Sequence, residues 1–169
     1  GKWVVCKTAY GSRRQAESRK ERQRVCMRVQ GANEEAGERI MAVNVVAVDN
    51  APDLLEKITY IFQNMEGVNL LGTFEEAVAV VEFVKENPVD MVFTDIVMPD
   101  ISGISLASEL HKLESAPAVV LMSSIPGFSL EAWKIQAYGF IEKPYTKHDI
   151  VKMVERYRIE KNMEKQNES

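Results

Sequence analysis

From residue 41 onward, short unbroken apolar runs alternate with stretches whose apolar residues return every three or four positions. Residues 44–48, NVVAV, are apolar and β-branched without alternation, which predicts a strand buried on both faces. Pro52 then suits the first turn of a helix, with Asp53 beside its positive end and Leu54, Leu55, Ile58, Ile61 and Phe62 on one stripe. The same alternation predicts strands at 68–74, 91–94 and 118–122 and helices at 75–86, 104–113 and 129–137. Asn87-Pro88 stops the second helix, and the loop MPDISG precedes the third. Phe140-Ile141 is a minimal fifth strand, and Thr146 with Asp149 three residues later opens a last helix in the manner of a capping box.

Five strand–helix repeats predict an α/β fold with a doubly wound, five-stranded parallel sheet. Ligands in such sheets sit beyond the carboxyl ends of the strands, where the strand order reverses. With the flavodoxin-like order 2-1-3-4-5 the reversal lies between the first and third strands. Asp49 and Asp95 end those two strands, so both carboxylates belong to one crevice. Ser123, after the fourth strand, and Lys143, after the fifth, reach the same rim.

Charge adds a boundary that the apolar pattern alone leaves soft. Residues 1–40 hold 10 Lys+Arg against 5 Asp+Glu, and residues 41–169 hold 11 against 20. The basic block SRRQAESRKERQRVCMR reads either as a nucleic-acid or membrane-surface arm or as non-native or disordered sequence ahead of Met41. The second reading is favoured, because so few apolar residues bury little surface. The expected organisation is an N-terminal extension over 1–40, a domain over 41–158 and a charged tail over 159–169. Without an apolar run near the roughly 18 residues of a membrane span, the expected location is the cytoplasm. Cys6 and Cys26 stand in no zinc-like spacing and read as free thiols.

Taken together, VDN, FTDIVMPDISG, LMSS and FIEKP resemble the receiver domain of two-component response regulators over residues 41–150. The resemblance implies that Asp95 is the phosphoacceptor, and that Asp49, Asn50, Asp95 and the backbone carbonyl of Val97 bind Mg2+, with Mn2+ as an alternative. It makes Ser123 the hydroxyl that follows the phosphoryl group, Lys143 the cation that reads it and Phe140 the aromatic switch. The chemistry is coherent: a carboxylate attacking a phosphoryl group brings negative charges together, which a dication and a lysine neutralise. Asn50 departs from the family, where a carboxylate is usual. AWKIQAYGFIEKP lacks the customary Gly-Ala and resembles receivers attached to LytTR-type DNA-binding domains.

The resemblance implies a signalling domain rather than an enzyme, switched by a phosphoryl group from a histidine kinase or phosphotransfer protein. The alternative is a pseudo-receiver, a binding module of the same fold that does not turn over phosphate. A haloacid-dehalogenase-type phosphatase is disfavoured because Val97 stands where a second Asp is wanted, and a flavodoxin because no phosphate loop follows the first strand. Output is expected through the face of the fourth and fifth helices and fifth strand, with Trp133, Phe140, Tyr145 and Tyr157 as candidate anchors. A homodimer is left open, no membrane contact is expected, and DNA would be met only through an output domain absent here. Asp53, Asp90 and Asp100 read as capping or solvated residues, and His111 and His148 as non-catalytic.

Overall fold

The computed structural model describes residues 41–125 and 137–168. Five strands, β1 (Val43–Val48), β2 (Val68–Phe74), β3 (Met91–Asp95), β4 (Ala118–Ser123) and β5 (Gly139–Glu142), form one sheet. Every pairing is parallel and the order is β2-β1-β3-β4-β5, as the repeat pattern predicts. Four described helices accompany it: α1 (Pro52–Gln63), α2 (Ala77–Glu86), α3 (Gly103–His111) and α4 (Lys147–Asn167). The helix predicted at 129–137, with Trp133, lies outside the described residues but for Ala137, as does the N-terminal extension with Cys6 and Cys26.

Because successive strand residues point to opposite faces, the unbroken apolar strands feed two cores. Val43, Val45, Ala47, Phe93, Val120 and Met122 pack with Leu55, Ile58 and Phe62 of α1 and Ile150 and Val154 of α4. Val46, Val48, Val92, Val119 and Leu121 pack with Val80 and Phe83 of α2 and Leu106 and Leu110 of α3. Edge-on ring pairs lie in or beside each core, Phe62 with Phe93 at 5.1 Å and Phe74 with Phe83 at 5.3 Å. Each fully buried Leu, Ile or Phe supplies about 1.5–3 kcal/mol, so two such cores hold the strand ends in place.

The helix termini follow from local chemistry. Pro52 occupies the first turn of α1, and Asn87 ends α2 in an extended conformation before Pro88. Thr146 and Asp149 form a reciprocal capping box on α4. Asp100 caps a helix other than its own: its carboxylate accepts the Ala77 and Val78 N–H groups at 3.2 and 2.9 Å. That long-range cap starts α2 at Ala77 instead of residue 75; burial is the largest single influence on the Asp100 carboxyl and raises it, but the backbone N–H groups of Val78, Ile101 and Ala77 together outweigh it and hold the carboxyl below its ordinary range. Asp90 accepts the Asn44 N–H at 2.8 Å.

The charged tail expected over 159–169, with helix-compatible pairs such as Arg156–Glu160, forms the end of α4, which is helical through Asn167. One expectation is corrected. Tyr145 and Tyr157 are buried in the core with α1 and α4 and are not surface anchors.

Candidate functional site

The site begins with two chain reversals at the carboxyl ends of adjacent strands. β1 ends one residue before Asp49, whose N–H still pairs with the Phe74 carbonyl at 3.0 Å. The Asp49 side chain turns back on its own loop, Oδ1 accepting the Ala51 N–H at 2.9 Å. Its Oδ2 is thereby left facing Lys143, whose Nζ lies 2.7 Å away. Asp95 ends β3, and the following N–H, of Ile96, bonds the Met122 carbonyl on β4 at 3.0 Å. Lys143 Nζ lies 3.3 Å from Asp95 Oδ1, so one ammonium bridges both carboxylates.

Those groups are largely withdrawn from water: Asp49 is 2% and Asp95 8% exposed. Burial pushes the Asp95 carboxyl up; the Lys143 ammonium opposes this, and the Asp49 charge adds to it. Burial, with a smaller contribution from Asp49, also pushes the Tyr145 hydroxyl up to about 12. Two carboxylates against one lysine leave an excess negative charge, and the nearby donors are oxygens. That is the donor chemistry of a hard dication such as Mg2+, which needs only one or two carboxylates. Among the described residues no group of three or more His, Cys, Asp and Glu gathers for a metal, so further protein ligands would be neutral oxygens.

The remaining predicted residues are placed as follows. Asn50 is exposed beside Asp49, and Val97 is 51% exposed in the loop two residues after Asp95. Ser123 is buried at the end of β4, its Oγ accepting the Ile125 N–H at 3.0 Å, so its hydroxyl is engaged with its own loop. Ile125 is 48% exposed. Phe140 is half-buried, packed against the core of α2 and α3. The Lys143 N–H bonds the Ser123 carbonyl at 2.9 Å, and the Lys143–Pro144 peptide is cis.

Sequence reasoning passed over Gly103. A Cβ there would come 2.1 Å from the Asp95 carbonyl oxygen, so only glycine lets α3 start against the strand end that carries Asp95. The Gly103 N–H bonds the Ile96 carbonyl at 2.8 Å, and Ser102 caps the helix through the Ser105 N–H at 3.1 Å. A Ser-Gly pair ahead of an apolar stripe was the available signal.

Residues 45–155 match the family model for the response regulator receiver domain. Among curated proteins the chain is similar to the protein MrkE of Klebsiella pneumoniae, at 24% identity over 68% of this chain and 42% of that one. It is 29% identical to the positive alginate biosynthesis regulatory protein of Pseudomonas aeruginosa, over 68% of this chain and 46% of that one. The chain thus spans less than half the length of these relatives. The fold matches the response regulatory domain of mrkE from Klebsiella pneumoniae with a TM-score of 0.63, at 23% identity over 68% of this chain and 94% of that one. It matches the signal receiver domain of the response regulator NarL from Mycobacterium tuberculosis with a TM-score of 0.65, at 28% identity over 70% of this chain and 97% of that one. With the family model covering all but the first two residues of the sheet and both acidic strand ends, this chain belongs to the response regulator receiver domain family of two-component signalling.

Proposed function

We propose that the protein is a phosphorylation-dependent switch that takes a phosphoryl group onto Asp95 from a histidine kinase or phosphotransfer protein. The observation that carries this reading is the Lys143 ammonium held at 2.7 Å from Asp49 and 3.3 Å from Asp95 at the switch point of the sheet. An Asp95 carboxylate oxygen attacks phosphorus, the P–N bond to the donor imidazole breaks, and the imidazole leaves with the electron pair and takes up a proton. The product is an acyl phosphate on Asp95.

This chain's residues prepare that transfer by charge and by position. Lys143 offsets part of the negative charge that accumulates, and Asp49 holds Lys143 in place beside Asp95. Asp49, Asp95, the Asn50 amide oxygen and the Val97 carbonyl are the groups that would hold Mg2+. When bound, that ion supplies electrostatic relief between the attacking carboxylate and the incoming phosphoryl oxygens.

Phosphorylation places new acceptor oxygens beside Lys143 and near Ser123. Ser123 gives up its bond to the Ile125 N–H to reach them, which draws the loop after β4 inward, and half-buried Phe140 repacks in response. Output then passes through the face of β5 and α4. Its accessible chemistry is a stack of Arg156 over the Tyr138 ring at 4.2 Å, with the Tyr138 hydroxyl donating to Glu160 at 2.7 Å.

The test is intact-mass spectrometry after incubation with Mg2+ and acetyl phosphate. The expected result is one added phosphoryl group, removed by hydroxylamine. A protein that gains no mass would be a binding module of the same fold.

A further inference from the structure

Lys143 reaches the two carboxylates from a loop, so the loop itself needs an anchor on each side. On the upstream side the anchor is the Lys143 N–H bond to the Ser123 carbonyl. On the downstream side it is Tyr145, two residues on, whose ring is buried at 2% exposure and whose hydroxyl donates to the Leu54 carbonyl of α1 at 3.5 Å. Lys57, one turn below Leu54 on α1, donates from Nζ to the Tyr145 carbonyl at 2.6 Å and lies 4.3 Å from the centroid of the same ring. One ammonium therefore grips both the backbone and the ring of Tyr145.

The same helix governs the other side of the ion pair. The Ala51 N–H at the entrance to α1 fixes Asp49 Oδ1 at 2.9 Å, which turns Oδ2 toward Lys143. The geometry points to Lys57 as a positioning residue: its clamp on Tyr145 sets the loop that carries Lys143 and so seats the Lys143 ammonium between Asp49 and Asp95. A surface lysine alone contributes little, but a charge-assisted bond to a carbonyl combined with a ring contact is a defined geometry. The consequence for phosphoryl transfer rests on the function proposed above, whereas the clamp itself does not.

Competitive acetylation of the lysines, read by peptide mass spectrometry on the full metal-free chain, tests the clamp without any phosphate. Lys112 on the surface beyond α3 serves as internal reference. Lys57→Met keeps the aliphatic stem and loses the charge, so Lys143 should become several-fold more reactive relative to Lys112. Lys57→Arg can both donate to the carbonyl and stack on the ring, and should return Lys143 to the parent value. Unchanged Lys143 reactivity in Lys57→Met, a rise shared by Lys112, or no recovery with Arg overturns the proposal. Labelling by acetyl phosphate with Mg2+ should slow several-fold in Lys57→Met and recover in Lys57→Arg. A parent that takes no phosphoryl group would defeat the function reading alone, since Lys143 reactivity still decides the clamp.

Discussion

A carboxyl group packed beside another carboxyl group and one lysine carries opposing influences, and at Asp95 burial is the largest. Its proton is held more tightly in the folded protein than in the unfolded chain, whose ordinary value is 3.8. The sign follows from linkage: a raised carboxyl destabilises the fold once ionised, fully so above its folded pKa and not at all below its unfolded one. In metal-free buffer, Asp95→Asn should therefore melt higher than the parent at neutral pH. The gap should close as pH falls toward 4; a gap independent of pH in thermal melts would contradict the burial account. At Asn50 the sequence offers an amide where the family usually has a carboxylate. Asn50→Asp adds a full charge beside Asp49, so Mg2+ titration should give tighter binding, and an unchanged affinity would remove Asn50 from the ligand set. Asp49, Asp95 and Lys143 were legible because each ends or directly follows a strand. Gly103 was passed over: the Ser-Gly pair marks a helix start, but the packing against the Asp95 carbonyl that leaves no room for a Cβ is a tertiary contact the pair itself does not show.

At the scale of elements, apolar periodicity located all five strands, because strands buried on both faces need unbroken β-branched runs. It failed where a distant group decides: Asp100 reset the start of α2 from 23 residues away. Within α4, Arg158 is buried and donates to the carbonyls of Met41, Glu66 and Gly67 at 3.2–3.3 Å, besides pairing with Glu155. Arg158→Ala removes those three charge-assisted bonds and should cost about 2–4 kcal/mol in denaturant unfolding. Removing residues 162–168, which are exposed, should move the melting temperature by no more than about 2 °C; the reverse ranking would misplace the anchor of α4. The loops after β3 and β4 carry Val97 and Ile125, apolar, β-branched and half-exposed at the mouth of the site. Neither can orient a water for attack on an acyl phosphate. Decay of the phosphorylated protein should accordingly be slow, and faster in a Val97→Asn, Ile125→Glu double variant; equal decay would end the shielding argument.

For the molecule as a whole, the two cores place the ends of β1 and β3 side by side, and α1 ties both to the loop after β5. Fold and family were readable from the chain because four short motifs recur at the ends of predicted strands. The output surface was not, because Tyr145 and Tyr157 look like anchors in sequence and are core residues in space. Everything proposed about switching depends on one covalent bond at one position. Reducing the acyl phosphate with borohydride converts a phosphorylated aspartate to homoserine, which peptide mass spectrometry locates. After treatment with acetyl phosphate and Mg2+, the account predicts homoserine at position 95 alone and none in Asp95→Asn. Homoserine at any other aspartate, or a phosphoryl group that persists in Asp95→Asn, would contradict it.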